Sequence, residues 1–286
     1  MDIQEIISKL NKENKLSSEI TVYKPLSGGT VSELYLLQTS NGEKYALKIN
    51  NPKIVQSEVL YLKSYNHVEI LPDIEYVENT NKYFVYSFIE GATTYIRGNK
   101  REILESLVHE LINHYKMATD FNGWGWADEP THSWNSFLMN RTQEASETIA
   151  TFLDRDNHHL VFDLMEKHKE SKISPYLLHG DLGIHNFIFA NGQLTGIIDP
   201  CPVIGDPLYD LIYAFCSSPD DLTKETFDAA ADCLSVGVEH EILAIYENVL
   251  IGLYHRLAAC KKHHPNDLDE YVKAWFYWKE ILKKFN

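Results

Sequence analysis

Leu178-His179-Gly180-Asp181-Leu182-Gly183-Ile184-His185-Asn186-Phe187-Ile188-Phe189, followed by Gly196-Ile197-Ile198-Asp199-Pro200, sets three polar side chains, Asp181, Asn186 and Asp199, among apolar strand-like runs. Asn186 follows Asp181 by five residues and Asp199 follows it by eighteen. That combination is what phosphoryl transfer from a nucleotide requires. One carboxylate orients a hydroxyl nucleophile, while the amide oxygen and the other carboxylate hold Mg²⁺ on the phosphates. Magnesium takes hard oxygen ligands, which these are.

Upstream of this segment the text is β-rich. Ile20 to Pro25, Val31 to Leu37 and Lys44 to Ile49 read as three strands joined by tight connections, the second at Ser40-Asn41-Gly42. Pro52 can open a helix whose apolar side, Val55, Val59, Leu60 and Leu62, runs to about Tyr65. Two more strands follow, Ile74 to Glu78 and Tyr83 to Ile89. After Gly91 the pattern becomes helical: Ile103, Leu107, Leu111, His114 and Tyr115 at helical spacing, then Phe137 to Leu153, Ile242 to Cys260 and Leu268 to Lys284. A small β-rich unit, residues 1–90, thus precedes a larger helical one, residues 91–286, and the polar triad falls on a β-loop-β segment within the second. Such an arrangement predicts a cleft between two lobes, where ligands commonly sit.

Alternation along Lys44 to Ile49 sends Tyr45, Leu47 and Ile49 to one face and Ala46 with Lys48 to the other. Lys48 reads either as a solvated strand residue or as a clamp for nucleotide phosphates, with the small Ala46 leaving room for a purine ring. In the second case Glu58, in the next helix, pairs with Lys48. Ser27-Gly28-Gly29-Thr30 is either a plain turn or a place where backbone N–H groups approach anionic oxygens, with hydroxyls from Thr30 and Ser32 adding donors. No GxxxxGK[ST] is present, so the loop is not a P-loop. Asp206-Pro207 has the form of an N-cap and first helical residue. Asp210, inside the otherwise apolar helix that follows, needs hydrogen-bond donors to be tolerated, and bracing the 179–186 loop would supply them.

The 286 residues, 44% of them hydrophobic, suffice for a sizeable core. No basic n-region with an apolar block opens the chain and no run approaches bilayer-spanning length, so a cytoplasmic protein without a membrane partner is expected. Cys201, Cys216, Cys233 and Cys260 match neither a CxxC site nor a zinc cluster and read as reduced core residues. A net charge of −15 argues against a nucleic-acid partner, because phosphate backbones attract clustered Lys and Arg. It leaves open a solvated acidic surface or the steering of a cationic substrate.

In order and spacing, His179-Gly180-Asp181-Leu182-Gly183-Ile184-His185-Asn186, then Ile198-Asp199, then Gly205-Asp206-Pro207-Leu208-Tyr209-Asp210-Leu211 resemble the aminoglycoside phosphotransferase family. This is the small-molecule branch of the protein-kinase-like fold, which also includes choline, homoserine and fructosamine kinases. The resemblance spans roughly residues 20–260. It implies an α+β bilobal fold, with a small antiparallel-sheet lobe and a larger, mainly helical one. It further implies Asp181 as catalytic base, Asn186 and Asp199 as magnesium ligands, Lys48 as phosphate clamp, and backbone groups of Ser87, Phe88 and Ile89 holding the purine. His179 is implied as a scaffold residue. Tyr86 is bulky where the purine pocket narrows, leaving ATP and GTP both open as donors. Pro200 and Cys201 stand where protein kinases have an aromatic-glycine pair, which favours a small hydroxylated acceptor over a protein.

The acceptor expected first is an aminoglycoside-type antibiotic or related amino-sugar, with a cellular metabolite such as choline, homoserine or a fructosamine as the alternative. Asp220, Asp221, Glu225, Asp228 and Asp232, with Asp267, Asp269 and Glu270, either line a cleft for a polyamine or coat exposed helix faces. Trp124 and Trp126, with Asp128 and Glu129, either form a pocket for a cation or pack the helix that starts near Ser133. A monomer or weak dimer is expected. Two competing readings remain: a metal hydrolase with His179, Asp181, His185 and Asp199 on zinc or iron, and a nucleotide-binding module without catalysis.

Overall fold

The computed structural model describes residues 2–26, 32–169, 172–237 and 240–285. Helix α1 (Ile3–Lys12) is started by the Asp2 side chain, which accepts from the Gln4 N–H. Strands β1 (Ile20–Pro25), β2 (Glu33–Thr39) and β3 (Lys44–Ile49), helix α2 (Pro52–Ser64), and strands β4 (Ile74–Val77) and β5 (Tyr83–Ser87) complete the first lobe. The five strands form one antiparallel sheet in the order β1-β2-β3-β5-β4. Its two faces are sorted by the period-two pattern. Tyr45 and Leu47 of β3 join Leu37, Tyr83 and Val85 in a small core beneath Ile6 and Leu10 of α1. Ala46 and Lys48 turn the other way, beside Tyr86 and Phe84 of the neighbouring strand.

The second part contains α3 (Lys100–Glu110), β6 (Gly125–Trp126), α4 (Trp134–Ile149), α5 (Arg155–Lys167) and β7 (Tyr176–Leu178). It continues through β8 (Phe187–Ala190), β9 (Gln193–Ile197), β10 (Val203–Gly205), α6 (Pro207–Cys216), α7 (Lys224–Ala231), α8 (Ile242–His263) and α9 (Leu268–Lys283). β8 and β9 form a hairpin, and β10 lies between β6 and β7. This is the expected arrangement of an antiparallel-sheet lobe followed by a mainly helical one. The predicted helix through Tyr115 is shorter, because the chain leaves α3 at Leu111, whose φ of −130° and ψ of −62° break the helical ladder.

The apolar core does not divide at residue 90. One cluster runs from Ala46 of β3 and Val55, Val59 and Leu62 of α2 down to Trp275 and Trp278 of α9. Polar bonds reinforce the join. The Tyr65 hydroxyl donates to the Leu177 carbonyl at 2.6 Å and accepts from the Lys116 N–H at 2.9 Å, while Ile197 N–H reaches the Ile70 carbonyl at 2.8 Å. Among the cysteines, Cys216 and Cys260 are buried and Cys233 partly so, but Cys201 is exposed, contrary to its reading as a core residue. It follows Asp199-Pro200 in the loop before β10, where Cys201 N–H is bound to the His179 carbonyl and its side chain opens into the cleft.

Candidate active site

Lys48 is only 5% exposed, which excludes its reading as a solvated strand residue. The β3 pleat points it at α2, where its ammonium donates to both oxygens of Glu58, at 2.7 and 2.8 Å, and to Asp199. Burial disfavours this ammonium, but the two carboxylates outweigh that and hold its pKa above the usual lysine range. Glu58 itself is buried, which pushes its carboxyl upward against the pull of Lys48. A strand of one lobe and a loop of the other are therefore tied through one nitrogen.

Asp181 sits in the turn between β7 and β8. The chain gets there through Gly180, whose φ is +81°, and a Cβ at this position would lie 2.0 Å from the Cys201 carbonyl oxygen. Glycine is required by that approach. Tyr213 of α6 donates its hydroxyl to Asp181 Oδ1 at 2.6 Å, and Asn186 Nδ2 donates to the Asp181 carbonyl at 2.9 Å and to Oδ2 at 3.0 Å. His185 Nε2 lies 3.5 Å from Oδ2. Burial works against ionisation of Asp181, yet His185 and the Tyr213 hydroxyl hold its pKa down to about 2.

Both acceptors facing Asn186 Nδ2 are oxygens without protons, so the amide orientation is forced and the oxygen Oδ1 is the end left for a cation. Asp199 stands across the β8–β9 hairpin from it: Phe187 pairs with Ile197, and Ile198 N–H donates to the Asn186 carbonyl at 3.0 Å. Asp199 takes a left-handed φ of +63°, and its side chain is 39% exposed, within reach of a ligand in the cleft. One amide oxygen and one carboxylate, completed by phosphate oxygens and water, fit magnesium. They do not fit zinc or iron. Among the described residues no cluster of three His, Cys, Asp or Glu side chains is placed to hold a metal. His179 is fully buried, its Nε2 donating to the Ile198 carbonyl at 3.2 Å and its Nδ1 accepting from Asp181 N–H at 3.3 Å, so neither nitrogen is free to ligate. Burial lowers its pKa to about 4, which keeps the ring neutral.

Beneath the loop, Asp210 is completely buried on α6. It accepts from the Tyr115 hydroxyl at 2.6 Å, from His179 N–H at 2.9 Å and from Gly180 N–H at 3.1 Å. These donors answer the question posed by a carboxylate inside an apolar helix. Asp206, one turn earlier, caps α6 through Leu208 N–H and pairs with His240 at 2.7 Å.

In the connector between the lobes, Ser87 N–H is used by the Asp73 carbonyl at 2.9 Å and Phe88 N–H by the Lys44 carbonyl at 3.1 Å. Ile89 carries the one N–H of the three that finds no acceptor among the described residues. Ala46 is buried opposite Tyr86, which stacks on Phe84 at 5.2 Å. Ser27, Gly28, Gly29 and Thr30 lie outside the described residues.

Next to Asp181 opens a cavity of about 690 Å³ lined also by Trp126, Arg141, Tyr213 and His255. The exposed side chains Glu129, Glu144 and Lys262 stand at its rim. Trp126 packs edge-on against Phe137 of α4 at 5.4 Å, as the helix-packing alternative expects. The acidic residues of 220–232 and 267–270 do not line this cavity. Asp220 binds the Tyr95 hydroxyl, Asp228 binds Lys224, and Asp267 with Glu270 binds Arg97. Arg141, Glu144 and Tyr213 escaped the sequence reading because they come from helices remote in the chain from the motif, and only the tertiary fold places them beside it.

The sequence profile of the phosphotransferase enzyme family matches residues 22–237. Among curated proteins, a probable ketoamine kinase of Enterococcus faecium is 27% identical over 231 residues, covering 74% of this chain and 78% of that protein. One of Staphylococcus aureus is 25% identical over 236 residues, with the same coverage of 74% and 78%. Among solved structures, one provisionally named a fructosamine-3-kinase, from Thermobifida fusca, superposes with a TM-score of 0.64 at 15% identity over 96% of this chain and 98% of the other. The choline kinase LicA of Streptococcus pneumoniae gives 0.61 at 17% identity over 95% and 98%. A thermostable mutant of the aminoglycoside phosphotransferase APH(4)-Ia gives 0.61 at 18% over 96% and 97%. At these identities the structures speak for the fold alone, but the profile covers most of the sequence, and the chain belongs to the phosphotransferase enzyme family as a small-molecule kinase.

Proposed function

We propose that this protein transfers the γ-phosphate of ATP or GTP to a hydroxyl of a small amino-sugar acceptor. The observation that carries the reading is the convergence of Lys48, Asp199, Asn186 and Asp181 on one crevice from two lobes. Asn186 Oδ1 and Asp199 would hold Mg²⁺, which when bound neutralises phosphate charge. Lys48 adds a fixed positive charge on the nucleotide side. Asp181, ionised and oriented by Tyr213 and Asn186, accepts the proton of the acceptor hydroxyl as transfer proceeds. His179 and Asp210 act through the backbone, by fixing the turn that carries the base. Ala46 and the Ile89 N–H provide the floor and edge for the purine. The fit of hard oxygen donors, and the use of both His179 nitrogens within the protein, speak against a metal hydrolase.

A ketoamine is the acceptor the relatives favour, since both curated proteins carry that name over three quarters of this chain. Glu129 and Glu144 at the cavity rim favour a second reading, an aminoglycoside. A panel of ketoamines, aminoglycosides, choline and homoserine, assayed with ATP and GTP, separates the two. The role of the base is tested by Asp181→Asn: turnover falls by at least ~10²-fold, the scale of a positioned base, while nucleotide affinity is largely retained. Near-normal turnover in that variant refutes the assignment.

A further inference from the structure

In a chain with 41 acidic and 26 basic residues, a cation beside the catalytic base without a carboxylate of its own is unexpected. Arg141 is such a cation. It lines the Asp181 cavity from α4, and among the described residues no carboxylate pairs with it. Its Nη1 donates to the Tyr209 hydroxyl at 2.6 Å, and its guanidinium carbon stands 5.4, 5.8 and 5.6 Å from the ring centres of Trp126, Phe137 and Tyr209. Those rings hold the guanidinium plane in place. Its other edge, Nε and Nη2, finds no hydrogen-bond partner among the described residues. A packing role accounts for the stacked face and leaves the vacant edge unexplained. The distance to the chemistry is short: Tyr209 and Tyr213 are one helical turn apart with ring centres at 6.2 Å, and Tyr213 binds Asp181 directly. The other charges of the cavity are arranged around this. Glu129, Glu144 and Lys262 are exposed at the rim, and His255 is kept neutral by burial, which lowers its pKa to about 3.

We infer that Arg141 is the anchor for a carboxylate on the acceptor, so that the substrate is a hydroxylated amino acid derivative: a sugar–amine adduct that retains the carboxylate of the amino acid. Resting on the kinase reading above, the inference adds the anionic group. A planar guanidinium with a preset orientation binds a carboxylate through two parallel hydrogen bonds. The adduct's amine then lies toward Glu129 and Glu144, and its sugar hydroxyl toward Asp181. An aminoglycoside has hydroxyls but no carboxylate to offer the vacant edge.

Calorimetric binding of the fructose–glycine ketoamine and its glycinamide counterpart to the full chain tests this without turnover. The acid binds at least ~10-fold tighter than the amide, the scale of a charge-assisted bidentate pair, and Arg141→Gln removes the difference by weakening the acid. Arg141→Lys, which keeps the charge and loses the fork, retains only part of it, and the melting temperatures of both variants report the fold. Equal binding of acid and amide by the wild type, or binding of neither at millimolar concentration, overturns the inference. Carboxylate-dependent binding without phosphorylation of any ketoamine leaves the anchor standing and sinks the acceptor assignment instead.

Discussion

The three donors of the Lys48 ammonium are fully used, two on Glu58 and one on Asp199. Because Lys48 and Glu58 are both buried, removing one strands the other's charge in a low-dielectric site, which costs about 3 kcal/mol or more. Lys48→Met should therefore lower the urea unfolding free energy by roughly that amount, and the double variant with Glu58→Leu should recover most of it. An unaltered midpoint in the single variant would show that the pair is not sealed from water. His255 offers a second residue-level prediction. Burial lowers its pKa to about 3, and it exchanges a hydrogen bond with Thr142 at 2.9 Å. The unfolded chain takes up a proton at the ordinary histidine value near 6.5, so the folded state binds fewer protons between these limits. Its contribution is complete above about pH 6.5 and is lost as pH falls toward 3. Relative to His255→Asn, the wild type should lose stability steadily on acidification through that window; parallel curves would contradict the burial.

At the scale of elements, α6 is the support of the turn that carries Asp181, the proposed base. It begins at the Asp206 cap, then sends Asp210 to two backbone N–H groups of that turn and Tyr213 to Asp181 itself, so two successive helical turns serve one loop. Asp210→Ala orphans those N–H groups and the Tyr115 hydroxyl, at a cost of roughly 3 kcal/mol. Turnover should fall with it while nucleotide affinity changes little, as stopped-flow and equilibrium binding would reveal; equal losses in both would assign Asp210 to the fold alone. Much of this was legible beforehand. A carboxylate in the run Leu208, Leu211, Ile212, Phe215 announces a need for donors, and Asp181, Asn186 and Asp199 lie close in sequence, flanking one hairpin. Other parts were not. The fine detail of the connector, where Ser87 and Phe88 spend their N–H groups inside the sheet, depends on strand register. By contrast, helices α1 and α5 were open to reading, since Ile3, Ile6, Ile7 and Leu10 of the first and Val161, Leu164 and Met165 of the second recur at helical spacing. Cys201 looked like a core residue because its exposure follows from the cleft, which sequence spacing does not draw.

For the molecule as a whole, the two lobes meet at the proposed cation site, Lys48 from above and Asp199 from below. Chelation of divalent metal should weaken nucleotide binding by the wild type, and Asp199→Ala should bind nucleotide weakly with or without magnesium; unchanged metal dependence in the variant would reject Asp199 as a ligand. The acidic clusters at 220–232 and 267–270 take no part in this: Asp220 is bound to Tyr95, Asp228 to Lys224, and Asp267 with Glu270 to Arg97. The deeper organisation lies in how α2 is held. Its apolar side shares one core with Ala46, Phe84 and Tyr86 of the sheet and with the lower half, and Tyr65 just beyond its end is bound to Leu177, so it bridges the two halves. A crevice so bridged cannot widen at its inner edge without parting Lys48 from Asp199, the contact of that ammonium that crosses between the lobes, while its grip on Glu58 stays within the upper one.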